Sequence, residues 1–158
     1  MAGRLDFNKL APEGLEKMRA LEHYLNTGTG LERVLLELVR LRASLMNGCE
    51  YCIEMHTAEL KKLHEPEERI AGLSDWRGAG AGSGGAYTQR ERAALAWAEA
   101  VTNIQEGHAP DAVYEGMRGH FNEVEAVNLT LAITTINAWN RLAIALGNYS
   151  GHAGAVAK

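Results

Sequence analysis

Residues 31–63 read LERVLLELVRLRASLMNGCEYCIEMHTAELKKL. Leu31, Val34, Leu35, Leu38, Val39, Leu41 and Leu45 recur at helical spacing, and the stripe is wide enough for a buried helix over 31–46. Asn47-Gly48 ends it, because glycine takes the left-handed conformation that a helix C-terminus commonly needs. A second helix is expected from Cys49 to about Leu63, before Pro66. If the two fold back at Asn47-Gly48, they form a helical hairpin.

The flanking sequence repeats the helical period. Leu15, Met18, Leu21, Tyr24 and Leu25 predict a helix from Pro12 to about Asn26, with proline suited to the first turn. Glu67–Trp76 reads as a short helix. Thr88-x-x-Glu91 is a capping-box signature opening a helix to about Gln105, with Gly107 closing it, and Pro110 starts a short one. Asn122-x-x-Glu125 caps a last long helix, Glu123 to about Leu146. No strand pattern competes, so an all-α helical bundle is expected. Between Trp76 and Thr88, five glycines (Gly78, Gly80, Gly82, Gly84 and Gly85) fall within 78–85. They lack the Lys-Ser/Thr terminus and preceding strand of a phosphate cradle, and read as a mobile surface loop. The last helix is apolar on more than one face, as in a helix central to its domain or shared with a second subunit. Asn137 and Asn140 interrupt it and need partners across helices or subunits.

A chain of 158 residues supports one domain, spanning 1–158 with a core over about 5–146 and a flexible tail over 147–158. Apolar residues at 46% and charged residues at 23% exclude a disordered chain. The net charge of −4 gives no electrostatic footprint for nucleic acid. The N-terminal MAGRLDFN lacks the apolar core of a signal peptide, and no window reaches the length of a membrane span. The expected compartment is a reducing cytoplasm. The two cysteines, Cys49 and Cys52, close too short a loop to staple a fold, so redox or metal chemistry is indicated.

Cys49, Cys52 and His56 stand at i, i+3 and i+7, one face of a helix. Cys49 lies at the helix start, where the partial positive charge favours thiolate, whereas Cys52 is one turn from His56. Either is a candidate nucleophile, and the pair is placed to cycle between dithiol and disulfide. Glu37 and His56 each lie about 13–16 Å along their helices from the turn, so the hairpin could bring carboxylate to imidazole. That contact would orient the ring as a base for a cysteine thiol. Glu37 could instead pair with Arg40 or Arg33. C-x-x-C-x-x-x-H also offers three zinc donors, with Glu37 or His64 as a fourth, although structural zinc usually draws on two separated pairs.

Glu37, eleven intervening residues and Cys49-x-x-Cys52-x-x-x-His56 together resemble the motif of the AhpD-like alkylhydroperoxidases, within the carboxymuconolactone decarboxylase superfamily. TQRERAALAWAEAVT and INAWNRLAIAL extend the resemblance, which covers most of Leu5–Leu146. It implies an AhpD-like helical bundle, assembled as a homo-oligomer of three or six chains. It also implies a thiol-dependent peroxidase in antioxidant defence. Cys52 attacks the hydroperoxide and becomes a sulfenic acid, Cys49 resolves it to a disulfide, and His56 with Glu37 relays the proton. Neither metal nor cofactor is implied beyond that disulfide, which a lipoyl- or thioredoxin-like dithiol protein reduces. Better-studied members carry histidine where this chain has Tyr51. His120 resembles a position lining the family's pocket. The alternatives are a lactone decarboxylase of the same superfamily, which uses no redox dithiol, and a non-enzymatic redox-sensing or zinc-holding protein.

Overall fold

The computed structural model describes residues 4–78 and 86–147, and the glycine run beyond Gly78 and the tail from residue 148 lie outside them. The described residues form eight α-helices and one 3-10 turn, without a strand. In chain order the helices are α1 (Phe7–Leu10), α2 (Pro12–Thr27), α3 (Arg33–Asn47), α4 (Glu50–Lys62), α5 (Glu67–Ala71), α6 (Gln89–Thr102), α7 (Asp111–Arg118) and α8 (Glu123–Leu146). The all-α expectation holds, and four of the expected helices keep their limits to within two residues.

Three differences have local causes. The helix expected over Glu67–Trp76 divides into α5 and a 3-10 turn, Gly72–Asp75, at a glycine, which stabilises a helix interior poorly. α6 ends at Thr102 rather than Gln105, because Asn103 leaves the helical region with φ −97° and ψ 46°. α1 carries too few residues for a periodic signal, and Asp6 caps it by accepting from the backbone N–H groups of Asn8 and Lys9. Both expected capping boxes form, Thr88 with Glu91 on α6 and Asn122 with Glu125 on α8.

α3 is the axis of the bundle, packing against α4, α6 and α8. One core layer joins Leu35, Leu36 and Val39 of α3 to Trp97 of α6, Phe121, and Leu129 and Ile133 of α8. A second joins Leu38 and Leu41 to Leu60, Leu73, Trp76 and Leu95. Full burial of each leucine stabilises the fold by about 1.5–3 kcal/mol, which holds α3 rigidly enough to carry a site. The N-terminal segment straps onto the far end of α8, where Arg4 N–H donates to the Leu146 carbonyl at 2.7 Å. Among the described residues no helix is long and apolar enough to cross a membrane.

Candidate functional site

The site begins at the α3–α4 turn. Gly48 adopts φ 68°, a left-handed conformation that side chains disfavour, and its N–H reaches back to the Ser44 and Leu45 carbonyls. The Cys49 N–H donates to the Ser44 carbonyl at 3.1 Å, leaving Cys49 extended as the N-cap of α4. Both cysteines are buried and joined as a disulfide, with their Cα atoms 5.3 Å apart. They pack against Ala143 of α8 and against Tyr51, whose phenol is pushed up from its ordinary pKa by burial. The helix N-terminus therefore directs its partial positive charge at the sulfur pair.

A ladder of amides, from half-buried Asn47 to buried Asn137 and Asn140, fixes this turn onto α8. Asn47 Nδ2 donates to Oδ1 of Asn137 and of Asn140, each at 2.9 Å. Asn140 Nδ2 donates to Ser44 Oγ at 3.1 Å, and Asn137 Nδ2 to Thr102 Oγ1 at 3.0 Å. The polar residues of the last helix find their partners across helices within one chain.

Glu37 and His56 meet across the hairpin, with Oε2 2.7 Å from Nδ1 and both side chains buried. Burial opposes ionisation of Glu37, but the hydrogen bond and charge of His56, followed by those of Arg40, lower its pKa to about 2. An ionised carboxylate only accepts, so Nδ1 is the donor to it, and whenever the ring is neutral Nε2 presents a lone pair. Nε2 is buried without a hydrogen-bond partner among the described residues, one helical turn beyond Cys52. A base with a free lone pair beside a cysteine can take a thiol proton or hold a small polar ligand.

Arg40, offered by the sequence as a rival partner of Glu37, proves to be a simultaneous one. Its Nη1 donates to Glu37 Oε1 at 2.7 Å and to Asn26 Oδ1 at 2.8 Å, while Nη2 donates to Glu22 Oε2 at 2.8 Å. Arg33 Nη2 stands 3.6 Å from the same Oε1. Glu22 and Asn26 of α2 were not among the expected site residues. The signal was available in Arg40 itself, a cation inside a run of core leucines that must be paired to be buried.

His120 does not join the site. It is exposed in the turn before α8, whereas Ala143, which contacts the sulfurs, lies near the other end of that helix, about 30 Å away by helical rise. His64 is exposed beyond the end of α4. Among the described residues, no three His, Cys, Asp or Glu side chains are grouped to hold a metal ion. A cavity of about 390 Å³ opens on the adjacent face of α4, lined by Leu41, Leu45, Ile53, Thr57, Lys61 and Ile70 among others.

The model of the carboxymuconolactone decarboxylase family matches residues 12–100, more than half of the chain. The uncharacterized protein YdfG of Bacillus subtilis (strain 168) is 38% identical over 148 residues, covering 94% of this chain and 97% of that protein. A solved structure of a protein of unknown function from Agrobacterium tumefaciens, described as an AhpD-type antioxidant defence protein, is 40% identical. It superposes with a TM-score of 0.86, covering 95% of this chain and 97% of the other. An alkylhydroperoxidase AhpD core structure, from an uncharacterized peroxidase-related protein of Ralstonia eutropha JMP134, shares the fold. It is 20% identical with a TM-score of 0.75, over 92% of this chain and 74% of that one.

Proposed function

Since the chain belongs to the carboxymuconolactone decarboxylase family, we propose that it is a thiol-dependent peroxidase acting on organic hydroperoxides in antioxidant defence. The observation that supports this most is the buried Cys49–Cys52 pair followed one turn later by His56, whose Nδ1 is held by ionised Glu37.

In the reduced protein, His56 Nε2 takes the Cys52 proton directly or through a water. The Cys52 thiolate attacks the distal peroxide oxygen, the O–O bond breaks, and the alkoxide leaves with a proton as alcohol. Cys52 is then a sulfenic acid. Cys49 attacks it, forming the disulfide and releasing water. No further cofactor is required. The two electrons return from an external dithiol, a lipoyl- or thioredoxin-like protein, by thiol–disulfide exchange. The compartment we assign is the cytoplasm, and the functional species is a trimer or hexamer. Exposed Val124, Val127 and Leu131 on α8 support that assembly.

The test is hydroperoxide consumption with a dithiol reductant. Cys52→Ser should abolish turnover and Cys49→Ser should accumulate a sulfenic acid. His56→Ala should slow the reaction about 10²–10⁴-fold without unfolding. Full activity in Cys52→Ser would refute the reading. A second reading, lactone decarboxylation, is favoured by the name of the matching family model. It predicts turnover that survives loss of both thiols.

A further inference from the structure

The geometry points to Arg40 as a positioning residue of this site: anchored on Glu22 and Asn26 of α2, it fixes the Glu37 carboxylate against His56, and its charge sets the pH at which the Cys52–His56 unit releases its proton. The inference rests on the dithiol reading above and goes beyond the four motif residues to a layer beneath them.

Arg40 is 1% exposed, and burying a guanidinium among leucines costs free energy that hydrophobic packing would not. The three bonds made by its Nη nitrogens show how that cost is offset. Two go to α2, so the guanidinium cannot follow Glu37 if the carboxylate rotates. The third takes Oε1, which leaves Oε2 as the oxygen facing Nδ1. Oε1 of Glu37 thus faces the arginines and Oε2 the imidazole, and α2 acts on the aim of a base on α4 through Arg40.

The charges follow the same arrangement. Beside the Glu37–His56 contact stand Arg33 and Arg40 from α3, with Glu22 of α2 behind Arg40; Tyr51 and Cys52 lie on the helix of His56, and Cys49 is its N-cap. Lys61 and Glu67, between α4 and α5, pair with each other in exposed positions. α8 contributes Ala143 at the sulfurs. Glu22 and Glu37 balance Arg33 and Arg40 around the imidazole. Removing Arg40 leaves excess negative charge, which makes every nearby deprotonation harder. Removing the charge of Glu22 does the reverse. A role confined to packing predicts no such pair of opposite signs.

The test titrates thiolate formation in the reduced full-length protein, by thiolate absorbance and by the pH dependence of Cys52 alkylation. It compares wild type with Arg40→Met, Arg40→Lys and Glu22→Gln. Arg40→Met should move the midpoint up by about one pH unit, Arg40→Lys should restore most of it, and Glu22→Gln should move it down by roughly half a unit. Unchanged midpoints, or shifts of the same sign in Arg40→Met and Glu22→Gln, overturn the inference. Should Arg40→Met fail to fold, Glu22→Gln decides alone, since Glu22 is partly exposed and its amide keeps the size of the side chain. The titration uses no hydroperoxide, so it reads separately from the peroxidase assay. Opposite shifts without peroxide turnover sink only the functional reading, and turnover without shifts sinks only the role of Arg40.

Discussion

Glu37 gives the site a measurable acid dependence of stability. Its carboxyl is lowered from the ordinary 4.5 to about 2, through a buried side chain that water screens little. A carboxylate held below its unfolded value stabilises the native state above about pH 4.5, and that contribution is lost as the pH falls through the folded value. At about 1.4 kcal/mol per pH unit, the interval corresponds to about 3 kcal/mol. Glu125 is also lowered, chiefly by its hydrogen bond to Arg90. The perturbation that isolates Glu37 is therefore Glu37→Gln. The assay is denaturant unfolding of both proteins in the disulfide form from pH 7 to 2, with the difference in unfolding free energy as the readout. Wild type should exceed the variant by a constant margin down to about pH 5. The margin should then shrink by about 3 kcal/mol on the way to pH 2, where the folded wild type is about half protonated at Glu37. A margin that stays constant across that range, or widens as the pH falls, would refute the picture of a buried ionised carboxylate clamped by His56 and Arg40.

Three further outcomes follow from the turn and from α8. Asn140→Leu takes from Asn47 one of its two acceptors and from the buried Ser44 hydroxyl its amide donor, and should cost about 1–3 kcal/mol in denaturant unfolding. Gly48→Ala meets no atom within 4 Å but must hold φ +68°, so it should cost about 1–2 kcal/mol from backbone conformation alone. Val127→Glu, at a position 60% exposed on α8, should leave the monomer fold intact by circular dichroism. If that face joins subunits, sedimentation should move from a trimer or hexamer to smaller species.

The helices were legible because their signals are local. The stripe over 31–45, the glycine at 48 and the two capping boxes each involve residues within a few positions of one another, and each formed. The misread limits were also local, but depended on how a single residue resolves competing options. At Asn103 the sequence allows another helical turn, and the backbone leaves the helix instead. The amide ladder was half legible. Two asparagines inside an apolar helix need partners, but spacing cannot reveal that Asn47, ninety residues earlier, supplies them.

The Glu37–His56 pair shows where reading from spacing stops. Counting residues from the Asn47-Gly48 turn was enough to bring Glu37 opposite His56, since two helices leaving one turn keep their rise in step. Counting also produced a false choice, between His56 and the arginines as partners of Glu37. It is false because a carboxylate has two oxygens, and a helix surface offers i+3 and i+4 neighbours in addition to whatever packs across from it. Glu37 uses both directions at once, Oε2 across the hairpin and Oε1 along its own helix. The remaining support, Glu22 and Asn26, comes from a helix that the motif does not include, fourteen or more residues before Arg40. Such a layer leaves no fixed spacing in the sequence. What the sequence does record is the cost it offsets, a charged Arg40 in the middle of a buried run, and that mismatch locates the tuning residue of this site.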